Sequence, residues 1–549
     1  MSLQNRIIDM KIITIKKLIP VLVTVGLYYS CAPVAYRPAP PVQSPVIRVG
    51  LIEGRDSLTF SSENALVLYV NGRKQGLLPH GRQYTLLVQD PGTPRTEYRV
   101  QYAEYPDRSE AERMKRKLQR YGIKSRVEKT GSELVLGRQK LKNGLSYLLY
   151  DQRSWEQESE ALQYVKRLRA QNARVVAVSH REGSMKIESG DRQFPAMGNV
   201  TISGGRITVK NVPVGHGYHW SRMESRTYDG ELDIQIGDTG HLTVINVLPL
   251  SRYLEGVLPG EMPVSFPLEA LKAQAIAART YFLHNYSRVH KSKSFDVCDD
   301  VHCQSYIGVS DNEKIKKAVR ETHGQVLQIN DELCNTPYCA MCGGHTEHAQ
   351  NVWSGEVLPY LSGLFDAEHA RALENAMDLS QERDLERWLQ ADPNVFCNIE
   401  KSGDPEFAQY AKKFFRWSEQ FTREELEQSI RKYTGKDFGT LVDLIPLSRG
   451  VSGRIIELEV IGTSRTFTIK KELNIRKALS AKTLYSACFI IEPLGSVNDV
   501  YKGFKFTGAG WGHGVGMCQI GAACMAHRGK PAERILEHYY QGARVVTLY

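Results

Sequence analysis

The sequence predicts an α+β protein built from several domains. Its 549 residues exceed the roughly 100–200 residues of a typical domain. Short apolar runs broken by turn residues, which are typical of β-strands, fill residues 46–90 and 185–250. Between these blocks, residues 97–180 show two strand–helix–strand units, and a helix is predicted over Leu268–Tyr286. The chain thus combines β-rich blocks, a mixed βαββαβ block and helical segments, which predicts an α+β fold with several domains.

The composition is that of a folded chain. Hydrophobic residues make up 42% and charged residues 24%, which excludes neither enzymes nor binding proteins but argues against disorder and against a polytopic membrane protein. The formal net charge of +10 favours an acidic partner. Charge alone does not distinguish nucleic acid from an anionic membrane or an acidic glycan.

The N-terminus predicts export. Three lysines precede the apolar segment 18–29, which ends at Ser30 and Cys31. Because a bilayer-spanning helix needs about 20 residues, a signal peptide is favoured over a transmembrane anchor. A Cys after a small Ser resembles a bacterial lipoprotein cleavage site, so residues 1–31 are predicted to be a lipoprotein signal peptide with Cys31 lipidated. The Pro-rich residues 32–45 would be the tether. The protein is therefore expected to be a periplasmic or cell-envelope lipoprotein without a nucleic-acid partner.

The first strand block and the two following units are predicted as separate parts. Residues 46–90 have hairpin turns at Asn71-Gly72 and Pro79-His80-Gly81. The two units in 97–180 give the order βαββαβ. Their opening strand and first helix resemble the sporulation-related repeat (SPOR), which binds glycan strands stripped of peptides. A ferredoxin-like module without a ligand is the alternative.

The remaining chain alternates strands and helices. Residues 185–250 form a β-rich segment with glycine turns. Pro267 at the helix start and the Ala-rich interior favour the helix Leu268–Tyr286. Charged helices are predicted in a helical subdomain at about 366–435, followed by strands at Arg454–Ile461 and Arg465–Ile469.

The segment from Tyr253 to Tyr281 carries the clearest chemical signal. Glu261 stands between Gly260 and Met262-Pro263, ahead of an apolar helix. Partial burial would raise the pKa of its carboxyl group and make it a usable general acid. Lys272 and Arg279 are two helical turns apart, so they share a face and could point at one cleft. The alternatives are a carboxylate that caps the helix and a solvated cationic stripe.

A glycine-rich segment, from Gly508 to Ala522, supplies further candidates. Its glycines let the backbone approach a ligand closely, and Trp511 and His513 can stack on and hydrogen-bond to sugar. Gln519 and, in the earlier segment, Tyr281 complete the predicted substrate-binding set. A tight turn needed for packing is the alternative.

These two segments, with a third from Cys342 to Trp353, resemble the SpoIID family of lytic transglycosylases and its amidase-enhancer relatives. The resemblance covers residues 246–549, with 46–90 as the opening of the same catalytic unit and the SPOR-like domain inserted into it. It implies that Glu261 is the catalytic acid/base and that Lys272 and Arg279 hold the acidic sugar.

A lytic transglycosylase needs one carboxylate, whereas glycoside hydrolysis normally needs two. In the transglycosylase the muramic acid's own C6 hydroxyl attacks its anomeric carbon and leaves a 1,6-anhydro end. Asp299, Asp300 or Glu347 could still be a second carboxylate, which would make the reaction a simple hydrolysis.

A metal site is predicted from two Cys/His groups. We expect Cys298, His302 and Cys303 as ligands, with Cys342 or His345 completing the shell. Some SpoIID relatives carry a zinc near the active cleft, so zinc is the metal that the resemblance implies. Disulfides such as Cys298 to Cys303 or Cys334 to Cys339 are the alternative. Other cysteines stand singly in apolar contexts and are predicted to be buried core thiols: Cys397, Cys488, Cys518 and Cys524.

The sequence thus supports three functional hypotheses. The first is cleavage of peptidoglycan glycan strands, with peptide-stripped strands as the substrate. The second is a non-catalytic glycan-binding protein that enhances a cell-wall amidase. A zinc-dependent wall peptidase is the weakest, because no helical His-Glu-x-x-His is present.

Overall fold

The computed structural model describes residues 44–549 apart from 137–138, 142–143, 169–171, 217, 292, 354 and 498–499. The predicted signal peptide, Cys31 and nearly all of the tether lie outside the described residues. Among the helices of the described part, none is both long and apolar enough to cross a membrane.

The fold is α+β, as predicted. Five strands open it: β1 (Val46–Arg55), β2 (Ser57–Ser61), β3 (Leu66–Val70), β4 (Arg73–Leu78) and β5 (Gln83–Asp90). Apolar and polar residues alternate along β2, so Leu58 and Phe60 are buried while their neighbours are not.

The segment after β5 has the βαββαβ order. It consists of β6 (Arg95–Tyr105), α1 (Arg108–Arg120), β7 (Ser125–Thr130), a hairpin of β8 (Leu134–Leu136) and β9 (Gln139–Leu141), β10 (Ser146–Trp155), α2 (Glu158–Leu168) and β11 (Arg174–His180). The four long strands form one antiparallel sheet in the order β11-β6-β10-β7. Val100, Leu149 and Ala161 form its own small core. Glycan binding by this insert stays a prediction.

The chain then returns to the strands that precede the insert. Its next elements are β12 (Ser184–Ser189), β13 (Arg192–Met197), β14 (Val200–Ser203), β15 (Ile207–Val214), β16 (Arg222–Tyr228), β17 (Glu231–Ile236), β18 (Leu242–Pro249), α3 (Leu250–Glu261), α4 (Leu268–Asn285) and β19 (Val297–Cys298). Two sheets result, in the orders β19-β1-β18-β17-β14-β3-β4 and β13-β12-β5-β2-β15-β16. Residues of both sheets belong to one hydrophobic core, which α3 and α4 also enter.

Part of the C-terminal half packs against α4. It contains α5 (Glu313–Glu321), β20 (Gln325–Ile329), β21 (Glu332–Leu333), β22 (Tyr338–Cys339), α6 (Ala349–Val352), α7 (Ala370–Glu374), α8 (Glu382–Gln390), α9 (Lys412–Phe415), β23 (Trp417–Thr422), α10 (Arg423–Thr434), β24 (Leu441–Arg449), β25 (Ile455–Gly462), β26 (Thr466–Lys470), α11 (Glu472–Leu479), β27 (Phe489–Val497), β28 (Val500–Gly508), β29 (Met517–Cys518), α12 (Gln519–His527), α13 (Ala532–Tyr539) and β30 (Arg544–Thr547). Short 3₁₀ turns lie at Pro359–Leu361 and Glu406–Ala411.

The region predicted as a helical subdomain is divided between two cores. Leu385 and Trp388 of α8 belong to the main core. Leu426 and Ile430 of α10 instead pack with β23 to β28 and α11 in a second core. Helical periodicity identified these helices, but it could not show which core each of them joins.

Candidate active site

Glu261 is the last residue of α3, held where that helix meets a loop. The helix ends there because Met262 is extended and Pro263 follows. The backbone N–H of Ser305 donates a hydrogen bond of 2.7 Å to Glu261 Oε1. A Cβ at Gly260 would lie 2.3 Å from the carbonyl oxygen of Ser305, so only glycine lets the loop approach this closely.

Two cavities meet at Glu261. The wide cavity, of about 670 Å³, is lined by Glu261 together with Tyr218, Trp220, Tyr281, Trp353 and His513, among others. The narrow cavity, of about 200 Å³, is lined by Glu261 with Phe266, Tyr410, Phe414, Trp511 and Gln519, among others. The two cavities, which share Glu261 and Ala340 as lining residues, are together called the cleft.

The cleft raises the pKa of Glu261 to about 7 from its usual value of 4.5. Burial is the main cause, since it penalises the charged form. Hydrogen bonds from the Ser305 backbone and from the side chains of Tyr338 and Gln519 act in the opposite direction and limit the rise. Near neutral pH the group therefore exchanges a proton readily.

Aromatic rings line the wide cavity. Tyr218 and Trp220 stack with ring centroids 5.5 Å apart, and Trp353 lies 4.8 Å from His513. Trp220 and Trp353 are partly exposed, at 37% and 43%. Exposed rings along a cleft are suited to packing against the apolar faces of sugar rings.

His513 holds the backbone beside Glu261. Its Nδ1 accepts a hydrogen bond of 3.0 Å from the Val515 N–H, and the ring also hydrogen-bonds to the backbone of Tyr338. Burial, with smaller effects from Arg454 and Arg476, lowers the pKa of His513 to about 3, so the ring is neutral. This geometry allows His513 to position the backbone of Tyr338.

All four predicted substrate-binding residues lie on this cleft. Tyr281 and His513 line the wide cavity, whereas Trp511 and Gln519 line the narrow one. Gln519 Nε2 also donates to Gln274 Oε1 at 3.3 Å, which links α12 to α4. Whether these side chains bind substrate stays a prediction.

Lys272 and Arg279 do not face the cleft, which corrects their predicted role. Lys272 Nζ lies 2.9 Å from Glu269 and 2.8 Å from Glu321, and the buried Arg279 donates to the Gln325 carbonyl at 3.0 Å. The two do share a helix face, but that face packs on α5 and β20. The opposite face of α4 meets the cleft.

The three alternative carboxylates are also engaged elsewhere. Asp299 is buried 3.5 Å from Arg226, and burial raises its pKa well above the usual value. Asp300 accepts from the backbone of His216 at 2.7 Å, and Glu347 accepts from the Ser452 hydroxyl at 2.5 Å. None of the three is among the residues that line either cavity.

A carboxylate that the sequence did not single out does reach the wide cavity. Glu472, the first residue of α11, forms a buried ion pair with Arg476 at 3.3 Å. Both line the wide cavity. No motif pointed to Glu472, because a Glu four residues before an Arg is an ordinary stabilising pair on a helix.

A Cys/His group lies on the wall of the wide cavity. Ligand-type atoms of His290, Cys298, His302 and Cys303 all lie within 4.8 Å of one another. His302 Nδ1 is 3.7 Å from Cys298 Sγ and 3.6 Å from Cys303 Sγ, and His290 Nε2 is 3.2 Å from Cys303 Sγ. His302 and Cys303 line the same cavity as Glu261.

The fourth member of this group is His290, which corrects the prediction of Cys342 or His345. Cys342 lies in a different, buried group with Asp366, and His345 Nδ1 is 2.6 Å from the Thr346 carbonyl. His290 was missed because it stands eight residues before Cys298 in an otherwise polar stretch. All nine cysteines in the described part of the chain are free thiols.

Comparison with known sequences gives two family matches. Residues 238–328 match the family described as stage II sporulation protein. Residues 347–516 match a domain of unknown function, DUF8618. The first match contains Glu261 and the Cys/His group at 290–303, while the second contains α6 to α11.

Three relatives extend the match beyond these regions. An uncharacterised protein of Brachyspira hyodysenteriae is 30% identical over 324 residues, which is 58% of this chain and 72% of that protein. Stage II sporulation protein D of Bacillus subtilis is 27% identical, covering 57% of this chain and 79% of the relative. The amidase enhancer of Bacillus subtilis is 26% identical over 64% of this chain, which spans half of that relative's length.

Proposed function

The chain belongs to the SpoIID family, and we propose that its role in cell-wall processing is to cleave peptidoglycan glycan strands as a lytic transglycosylase, with Glu261 as general acid and base. The observation that carries this proposal is the position of Glu261. Its carboxyl group lies where two cavities meet and has a pKa of about 7.

The first step is proton donation. Neutral Glu261 protonates the O4 oxygen of the leaving GlcNAc while the bond from that oxygen to C1 of MurNAc breaks. A general acid works best when its pKa lies near the working pH, and burial gives Glu261 that property. The N–H of Ser305 then stabilises the carboxylate that remains.

The second step uses the substrate's own nucleophile. The Glu261 carboxylate removes the proton from the C6 hydroxyl of MurNAc, whose oxygen forms a bond to C1 and gives a 1,6-anhydro end. The proton that Glu261 lost is thereby restored. This route needs one carboxylate, and Glu472, which reaches the same cavity, is held in its pair with Arg476.

We also propose that His290, Cys298, His302 and Cys303 hold a zinc ion. In a tetrahedral site with Zn–S of about 2.3 Å and Zn–N of about 2.0–2.1 Å, sulfur and nitrogen ligands lie about 3.5–3.6 Å apart. The separations of 3.2 to 3.7 Å in this group fit that geometry. Four protein ligands fill the shell, so the ion would fix the loop beside Ser305 and not act on substrate.

Product analysis tests the proposal. Purified peptide-free glycan strands are incubated with the protein and analysed by mass spectrometry, and we expect 1,6-anhydro ends. Reducing ends would indicate hydrolysis instead. The alternative, suggested by the amidase-enhancer relative, is a non-catalytic glycan-binding enhancer. It predicts no new glycan ends but faster release of peptides by a cell-wall amidase.

The pH profile of cleavage should report the carboxyl group. Only the neutral form of Glu261 can donate a proton, and its pKa is about 7. We therefore expect kcat/KM to fall about tenfold per pH unit above roughly pH 7. Initial rates of anhydro-end formation between pH 5 and pH 9 measure this, and a flat profile up to pH 9 would exclude Glu261 as the acid.

Gln519→Met should move that profile in a known direction. Gln519 donates a hydrogen bond that stabilises the Glu261 carboxylate and so lowers its pKa. Without this donor the pKa rises, and the alkaline limb should shift to higher pH. Gln541→Met, on an exposed amide away from the cleft, is the control and should leave the limb in place.

Cys303→Ser should remove one equivalent of zinc per chain and lower thermal stability. The buried thiol Cys334 lies outside both Cys-containing groups, so Cys334→Ser is the matched control. The zinc content of protein purified without chelators is measured by inductively coupled plasma mass spectrometry. Equal zinc in the Cys303→Ser and wild-type proteins would contradict the proposed site.

A further inference from the structure

A second group of metal-ligand side chains lies in the interior, away from the site described above. It consists of Cys342, Asp366, Cys397 and Cys518, whose ligand-type atoms all lie within 4.8 Å of one another. All four residues are buried, with exposures of 0 to 2%. Three soft donors and one carboxylate thus lie close together in the protein interior.

We propose that these four residues bind a structural zinc ion. In a tetrahedral zinc site, Zn–S distances of about 2.3 Å place two sulfurs about 3.8 Å apart, and a sulfur and a carboxylate oxygen about 3.5 Å apart. Cys342 Sγ lies 3.6 Å from Cys397 Sγ and 3.3 Å from Asp366 Oδ2. The group already has the size of a zinc shell.

The spacing argues against two other uses of the cysteines. A disulfide has its sulfurs about 2.05 Å apart, and it would leave the third thiol and the carboxylate unexplained. An iron–sulfur cluster is ordinarily held by four cysteine thiolates, whereas this group has three cysteines and an aspartate. A single small cation with four ligands fits both the number and the type of donors.

The surroundings hold the donors as the outer shell of a metal site does. Asp366 Oδ1 accepts from the Tyr539 hydroxyl at 2.8 Å and lies 3.2 Å from His538 Nε2, which leaves Oδ2 facing the sulfurs. Cys518 Sγ accepts from the backbone N–H groups of Cys342 at 3.2 Å and Gly521 at 3.3 Å. Such bonds orient ligands and stabilise thiolates.

The buried negative charge of this group also needs a positively charged partner. Asp366 is fully buried, and a buried carboxylate without a cation is strongly destabilising. The imidazole of His538 lies 3.2 Å from Asp366, but it carries a positive charge only when it is protonated. A divalent cation would compensate Asp366 and the thiolates together.

The ion would join four segments that are far apart in sequence. Cys342 follows β22, Asp366 and Cys397 flank α7 and α8, and Cys518 ends β29. Cys518 precedes Gln519, and Cys342 follows Met341, both of which line the narrow cavity. The zinc would therefore fix one wall of the cleft, although the proposal does not depend on what the cleft cleaves.

Metal counting in the full chain tests the proposal independently of activity. The starting protein is Cys303→Ser, in which the zinc group at 290–303 is disabled. We expect it to retain about one zinc per chain and to lose it when Cys397→Ser is added. Cys524→Ser, a buried thiol of α12 outside both groups, is the matched control and should retain the metal.

X-ray absorption at the zinc edge of the Cys303→Ser protein tests the ligand set even if the double variant does not fold. We expect three sulfur neighbours and one lighter neighbour around the ion. A folded Cys303→Ser protein without zinc would overturn the proposal, as would a disulfide between Cys342 and Cys397 found by peptide mapping of protein purified under reducing conditions.

Discussion

Glu261→Gln is expected to lower glycan cleavage by orders of magnitude while leaving the fold and glycan binding intact. Glutamine has nearly the same shape and keeps an oxygen that can accept the Ser305 N–H bond, but it has no transferable proton. Loss of a general acid and base lowers turnover by about 10²–10⁴. Release of anhydro-ended fragments from purified strands measures the loss, and pelleting with the same strands measures binding.

Two further variants make this result specific. Glu255→Gln changes another carboxylate of α3, one that pairs with Arg252 and is not among the residues lining the cleft, and should cleave at the wild-type rate. Glu472→Gln distinguishes the one-carboxylate route from a mechanism with two catalytic carboxylates. If Glu472 were a nucleophile or base, cleavage would fall as far as with Glu261→Gln; in the one-carboxylate route some cleavage survives. Normal cleavage by folded Glu261→Gln protein would refute the mechanism.

Helix periodicity predicted part of the site and misled about another part. It predicted α4 within one residue, and it correctly placed Lys272 and Arg279 on one face. It could not show which face of α4 meets the cleft. Nearly the whole helix is buried, and its apolar residues lie on all of its sides. Tyr281, on the opposite face, lines the cavity instead.

Local sequence located Glu261 because the residues that place it at the end of its helix are its immediate neighbours. Gly260 allows the Ser305 loop to approach closely, and Met262 and Pro263 follow the last helical residue. Ser305, which completes the environment, arrives from 44 residues away. No local pattern marks that contact.

The Cys/His groups show the same limit more strongly. Cys298, His302 and Cys303 are near neighbours in sequence, and the structure does bring them together. Cys397 and Cys518 are buried, as predicted, yet each stands alone in its own segment, and the contacts that group them with Cys342 span 55 and 176 residues. Only the folded chain reveals such a group.

The placement of Glu261 has a cost in stability, which gives a prediction separate from catalysis. The folded protein raises the pKa of this group from 4.5 to about 7, so the folded state favours the neutral form. The stability that the neutral form provides is complete below pH 4.5 and is lost as pH rises to 7. Above pH 7 the wild-type protein carries the full cost, whereas a glutamine has no charge to lose or gain.

Glu261→Gln should therefore stabilise the protein at alkaline pH and change little at pH 4.5. A shift from 4.5 to about 7 corresponds to at most about 3 kcal/mol, and to less because the Glu261 residue is only partly buried. For the catalytic unit we expect the unfolding temperature at pH 8.5 to exceed that of the wild type by roughly 3–6 °C. Scanning calorimetry of both proteins from pH 4.5 to pH 8.5 measures the difference, with Glu255→Gln as the surface control.

A gain of the same size at every pH would mean that the effect comes from packing and not from the charge. A gain that grows between pH 4.5 and pH 7 and then levels off identifies a carboxyl group that is held, at the expense of stability, in the state a general acid needs.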